Sequence, residues 1–191
     1  MKNLCVATLI ASSLFTLSAH ADEAQQHWYG GLGLAAVNFS ANKSSFPSLT
    51  HNDSIESQSQ NLNLFLGYQF DPMLGLELDY LSGGSVSSKN LGKTSKLFNV
   101  ELTTLTSVIG ASINDNVRIF AKLGGTMWSF ASQQSAEMNN GFGPTIGVGA
   151  DINFYGNSDR KLRVEYNSYH LDNVFVKKAN SVSINAVFLL P

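Results

Sequence analysis

Eight extended segments alternate apolar with polar residues, their connections run long and short in turn, and ionised side chains keep to the face opposite the leucines. Those three observations predict an all-β fold, and more narrowly an eight-stranded antiparallel up-and-down transmembrane β-barrel with short periplasmic turns and longer extracellular loops. The clearest stretch is 61–80. Its first arm sets Leu62, Leu64, Leu66, Tyr68 and Phe70 on one face, with Asn61, Asn63, Phe65, Gly67 and Gln69 on the other. Asp71-Pro72-Met73 reverses the chain, because proline fixes φ and supports a tight turn. The second arm repeats the pattern, with Leu74, Leu76, Leu78 and Tyr80 against Gly75, Glu77 and Asp79. In a water-soluble sheet the leucine face packs on a core and the polar face is wet. Here the apolar face ends in aromatics while the other mixes glycine with carboxylates, the pattern of a strand with lipid outside and a polar lumen inside.

At the N-terminus, Lys2, the apolar run 4–17 and the triplet Ala19-His20-Ala21 read as a secretory signal peptide over 1–21, too short for a membrane helix. The barrel domain is then 22–191. Cys5 is the one cysteine and lies in the leader, so the exported chain is expected to carry no disulfide. Without Lys2, 11 basic side chains stand against 14 acidic ones, a net charge near −3, which leaves no footprint for nucleic acid. No run of about 18 apolar residues follows the leader, so helical spans are excluded.

The first strand is 28–39 (WYGGLGLAAVNF), with Trp28, Leu32 and Leu34 toward lipid. Residues 40–60 are polar, contain Pro47 and lack periodicity, and read as a long loop. After the 61–80 hairpin, 81–95 reads as a second long loop rich in glycine and serine, whose ends can extend the flanking strands. The fourth strand, 96–113, begins with Phe98, Val100 and Leu102 outside and Asn99 and Glu101 inside. Its second half keeps to neither parity, and a β-bulge near Thr103 or Thr104 would account for the slip. Residues 114–116 make a short turn. The fifth strand, 117–130, sets Val117, Ile119, Ala121 and Leu123 against Arg118, Phe120, Lys122 and Gly124. A loop at 131–140 leads to the sixth strand, 141–155. There Phe142, Ile146, Val148, Ala150, Ile152 and Phe154 alternate with Gly143, Thr145, Gly147, Gly149, Asp151 and Asn153. Pro144 belongs at the membrane boundary or at an irregularity, since proline cannot donate to a ladder. A turn at 156–160 precedes the seventh strand, 161–171, with Leu162, Val164 and Tyr166 against Arg163, Glu165 and Asn167. A loop at 172–178 precedes the last strand, 180–188, with Val182, Ile184, Ala186 and Phe188 outside and Ser181, Ser183 and Asn185 inside.

The inward face thus collects Glu77, Asp79, Glu101, Asp151 and Glu165 together with Arg118, Lys122 and Arg163. Eight strands enclose only enough room for side chains to fill. Lone charges there are costly, so opposite signs are expected to pair. The network reads as a polar plug that rigidifies the barrel, or alternatively as a gated, narrow, porin-like ion path along the same residues. Two aromatic girdles are expected: Trp28, Tyr68, Phe70, Phe154 and Phe188 on the periplasmic side, and Tyr80, Phe98, Trp128, Phe130 and Tyr166 toward the surface.

Four stretches carry a family resemblance: 28–34 (WYGGLGL), 63–70 (NLFLGYQF), 141–149 (GFGPTIGVG) and 162–166 (LRVEY). In that order and spacing the chain resembles the outer-membrane protein A transmembrane-domain family, a group of eight-stranded barrels that includes the OmpX-like and opacity-type surface proteins. The resemblance covers essentially all of 22–191. It implies a Gram-negative outer-membrane location and a charged interior without an agreed wide pore, which favours the plug. Two departures are expected: no C-terminal peptidoglycan-binding domain, and a non-aromatic end, Leu189-Leu190-Pro191, in place of a terminal aromatic for the insertion machinery to read.

Some eight-stranded barrels resemble lipid A deacylases or acyltransferases, and Ser168 and His170 share a strand face. The deacylase pattern puts the histidine first, however, and no carboxylate is placed to orient this imidazole. His27, His51 and His170 are scattered without metal-ligand spacing. The glycines of GGLG and GFGPTIGVG do not follow a phosphate-binding fingerprint and suit crowding in a small lumen. No catalytic residue, metal site or cofactor is therefore expected. The role expected is structural and surface-directed: envelope integrity, or adhesion through 43–60 and 83–96. Its expected partners are outer-membrane lipid and lipopolysaccharide, the barrel-assembly machinery during insertion, and host or cell-surface ligands, with the barrel itself a monomer.

Overall fold

The structure is a computed structural model that describes residues 26–41, 54–56, 58–90, 93–132, 138–154, 157–171 and 176–190. The leader and much of the first, third and fourth connections lie outside these residues. Nine strands are described: β1 (His27–Ala41), β2 (Ser54–Glu56), β3 (Gln58–Gln69), β4 (Leu74–Asn90), β5 (Lys93–Asn114), β6 (Val117–Ser132), β7 (Met138–Phe154), β8 (Asn157–His170) and β9 (Val176–Leu190).

Eight of them are staves of one closed antiparallel ring, in the order β1, β3, β4, β5, β6, β7, β8, β9, with β9 returning to β1. Closure leaves no unpaired edge, and in hydrocarbon that is obligatory because no water is present to satisfy a free N–H or C=O. Among the described residues no helix is long and apolar enough to cross a membrane.

Burial runs opposite to that of a water-soluble protein. Leu34, Leu123 and Phe142 are 68%, 64% and 71% exposed on the outside, while their neighbours Ala35, Lys122 and Gly143 are buried inside. Among the described residues, the short turns at 71–73 and 114–116 are built by side chains that replace backbone acceptors. Asp71 Oδ1 accepts from the N–H groups of Met73 and Leu74 at 2.7 and 2.8 Å, and Asn114 Oδ1 accepts from those of Asn116 and Val117, both at 2.9 Å. Both turns lie at the end of the barrel where β1 begins and β9 finishes.

Several expectations are corrected. Residues 81–95 are not a loop: β4 and β5 pair on through the Val86–Phe98 and Asn90–Lys93 rungs, past Ser132 where β6 ends. Bulges at Leu81/Gly84 and Val86/Ser87 twist this outgrowth, and β2 adds a third strand to it through Ser54–Lys89, Ile55–Ser88 and Glu56–Ser87. The glycine- and serine-rich backbone there is paired as sheet in place of a coil. β5 also has the opposite parity in its upper half. Val100 and Leu102 point inward and are buried, whereas Glu101 and Thr103 point outward. No bulge occurs at Thr103 or Thr104, since the β5–β6 register is continuous from Phe98 to Ser112. β8 starts at Asn157 and β9 at Val176, several residues earlier than the apolar pattern suggests. Pro144 sits opposite Gly125 just beyond the last β7–β8 rung, Thr145–Tyr169, so its missing N–H costs no bond to β8.

Candidate functional site

The lumen is filled by two tiers with different chemistry. Its surface half is an apolar cluster built from Val37, Phe39, Val100, Leu102, Trp128, Phe130, Leu171 and Val176, among others. The periplasmic half holds ionised groups. Between them runs a neutral polar layer in which Thr126 bonds both Thr104 (2.8 Å) and Thr145, and Asn63 donates to Asn185 at 3.1 Å.

Arg163 on β8 organises the charged tier. Its own rung partner on β7 is Asp151, and the pair forms a bidentate fork, Nε to Oδ1 at 2.6 Å and Nη2 to Oδ2 at 3.1 Å. Its Nη1 donates across the lumen to Glu77 Oε2 at 2.5 Å. Phe120, Phe65 and Tyr29 surround the guanidinium, with ring centroids 4.6, 4.8 and 5.4 Å from Cζ. Tyr29 also donates to Glu77 at 2.9 Å. Lys122 on β6 bonds Glu77, reaches Glu165 at 2.9 Å and lies 3.5 Å from Asp79. Asn167 donates to the same Glu165 oxygen at 2.6 Å. Arg118 stands 3.6 Å from Asp151 nearer the periplasmic mouth.

Seven of the eight residues expected in the lumen are therefore brought together inside: Glu77, Asp79, Arg118, Lys122, Asp151, Arg163 and Glu165. Glu101 is not, because the true parity of β5 turns it out toward the surface end of the outer wall. Glu77, Asp79 and Glu165 bring oxygens within 4.8 Å of one another, a spacing that can hold a metal ion. The Lys122 ammonium already stands among them, so the required positive charge is covalent.

The aromatic partners Tyr29, Phe65 and Phe120 escape a search for charged residues. Their signal is a pattern of paired glycines. Tyr29 sits opposite Gly67, and Phe120 opposite Gly149. A Cβ built at either glycine would collide with its partner's ring, so only glycine admits the two rings to the lumen.

Of the expected girdles, Trp28, Tyr68, Phe70 and Phe188 lie on the outside near the periplasmic turns, with Trp28 and Tyr68 rings 4.9 Å apart. Tyr80 and Tyr166 face outward toward the surface end. Trp128 and Phe130 do not: the alternation fixed by Ile119 and Leu123 continues unbroken, and both rings join the apolar tier of the lumen. The side chains of Phe98 and Phe154 lie outside the described residues. Ser168 and His170 share the outer face, and across the rungs they meet Asn180 and Lys178, not a carboxylate.

A family model described as "Outer membrane protein beta-barrel domain" matches residues 7–188. Outer membrane protein A of Klebsiella aerogenes is 28% identical over 169 residues, covering 87% of this chain and 47% of that protein. Its counterpart in Salmonella typhi is 27% identical over 129 residues, covering 67% of this chain and 35% of that one. The chain thus spans less than half of these relatives' length. Among solved structures, Ail, the attachment invasion locus protein of Yersinia pestis, aligns with TM-score 0.53 and 17% identity over 88% of this chain and 100% of that one. Neisserial surface protein A aligns with TM-score 0.58 and 15% identity, over 84% and 96% of the two chains. OprG of Pseudomonas aeruginosa gives 0.56 and 14%, over 86% and 96%. At these identities the structural likeness speaks for the fold.

Proposed function

This chain belongs to the outer membrane protein β-barrel domain family, and from that membership we propose a non-enzymatic structural and surface-display role, with the lumen closed by its own side chains. The observation that carries the closed lumen is the Arg163–Glu77 bond. It joins β8 to β4, staves on opposite sides of the ring, and both residues are almost completely buried. An ion path along the same residues would have to break this bond, and the neutral and apolar tiers above offer an ion no ligands of comparable strength.

The β2–β4–β5 outgrowth supports the display role. It extends paired backbone past the end of β6, giving a strand platform beyond the barrel rim. The leader at 1–21 would deliver the chain for export, and outer-leaflet lipid, the assembly machinery and ligands of other cell surfaces are its proposed partners. The test has two arms. Purified barrel in planar bilayers is expected to show no conductance steps, and a Glu77→Ala, Arg163→Ala double variant is expected to stay silent as well, because the apolar tier still fills the surface half of the lumen. Replacing the hairpin beyond the Val86–Phe98 rung by a tight turn should leave heat-modifiable gel mobility intact and abolish adhesion of cells displaying the barrel. Open wild-type channels, or adhesion unchanged by the replacement, would count against the corresponding half of the proposal.

A further inference from the structure

At its surface end β9 contains one residue more than its neighbour accommodates. Ser40 of β1 pairs with Lys178 and Ala41 pairs with Val176, so Lys177 is a bulge, its carbonyl accepting the N–H of Leu171 at 3.0 Å. Strict alternation would send one of two consecutive lysines into the lumen. The bulge instead leaves Lys177 and Lys178 both exposed, between buried Val176 and Ala179.

Lys178 shares its rung with His170 of β8 on one side and Ser40 of β1 on the other, both exposed. The next outward rung down is Ser168–Asn180–Asn38, then Tyr166–Val182–Ala36, then Val164–Ile184–Leu34. One outer face, three strands wide, thus passes from aliphatic side chains through a phenol to an amide and hydroxyl rung and ends in a cationic one. The Tyr166 hydroxyl donates to Asn180 Oδ1 at 3.1 Å, which places the ring at the boundary between the two regimes. Among the described residues, no carboxylate lies on these four rungs.

We propose that Lys177, Lys178 and His170 form a binding site for the phosphate of an outer-leaflet glycolipid, whose acyl chains lie along Val164, Ile184 and Leu34. Two adjacent ammonium groups with hydroxyl and amide donors beneath them suit a phosphate. The anion is lipid-borne because its seat continues directly into a hydrocarbon-facing wall, so a single molecule meets the cations with its head and the aliphatic rungs with its tails. The β9 bulge is then a binding device as well as an irregularity of the strand. The site is independent of whether the lumen conducts or the outgrowth adheres.

The test uses the folded barrel in detergent, titrated with diphosphoryl lipid A and followed by native mass spectrometry. Each lysine is expected to contribute about 5-fold in affinity, so Lys177→Gln with Lys178→Gln should lower retention by more than about 10-fold. The same lipid stripped of its phosphates should bind wild type as weakly as diphosphoryl lipid A binds the double variant. Arg160→Gln removes an exposed charge at the other end of the barrel and should change nothing. Equal retention by wild type and double variant, or equal retention of the two lipids by wild type, would overturn the proposal. Displacement of the lipid by millimolar inorganic phosphate would overturn the lipid assignment in favour of a free-anion site. The comparison of lipids needs only wild-type protein, so it decides even where a variant folds poorly.

Discussion

Arg163 of β8 and Glu77 of β4 meet at 2.5 Å across the full width of the lumen, four staves apart in a ring of eight. Each is also anchored on its own side, Arg163 by Asp151 and Glu77 by Tyr29 and Lys122. Removing Glu77 leaves the Tyr29 hydroxyl and the Arg163 Nη1 buried without their acceptor, which typically costs about 1–3 kcal/mol for each group. Glu77→Ala should therefore shift the urea midpoint of unfolding in detergent far more than Arg160→Ala. Arg160 is exposed, and its loss is expected to change stability by no more than about 0.5 kcal/mol.

Glu101 supplies a contrasting case. It lies outside the lumen network, facing the surface end of the outer wall. Glu101→Leu is expected to alter stability by no more than about 0.5 kcal/mol, while Glu165→Leu takes from Lys122 one of its carboxylates and from Asn167 its buried acceptor and should cost about 1–3 kcal/mol. Equal losses in the two variants, read from the same urea titration, would place Glu101 inside.

The glycines that admit lumen rings make a third test. At Gly149 any side chain would meet the Phe120 ring and the Val164 carbonyl. Gly149→Val should destabilise by about 1–3 kcal/mol through overpacking, and Phe120→Ala in the same background should recover part of that loss.

The chain has two tryptophans, and they face opposite ways. Trp28 is 50% exposed on the lipid side, whereas Trp128 is 6% exposed within the lumen cluster. Brominated acyl chains should quench the fluorescence of a Trp128→Phe variant, which retains Trp28, and leave that of Trp28→Phe nearly unchanged. Quenching of both would restore Trp128 to a girdle.

These residues also show what the sequence makes legible. The staves around 61–80, 141–154 and 180–188 alternate cleanly because, Phe65 and Val187 apart, their inward positions are polar or glycine, so hydropathy separates in from out. The charged tier was legible for the same reason: Glu77, Lys122 and Arg163 cannot face hydrocarbon. β5 and the end of β6 were not, because the surface half of the lumen is apolar. There Val100, Leu102, Trp128 and Phe130 look like lipid-facing residues while pointing inward. The pairing of Arg163 with Glu77 is invisible to pattern, since it depends on the stagger of staves far apart in the chain. The outgrowth of β4 and β5 was hidden by a loop-like composition.

Spin labels on single cysteines introduced along β9 test the central claim most directly. In bilayers, labels at Val182, Ile184 and Ala186 should be relaxed by oxygen and shielded from a water-soluble nickel chelate. Labels at Ser181, Ser183 and Asn185 should be shielded from oxygen. Oxygen access without that alternation, or nickel access at Ile184, would contradict a wall with hydrocarbon on one side and a packed lumen on the other.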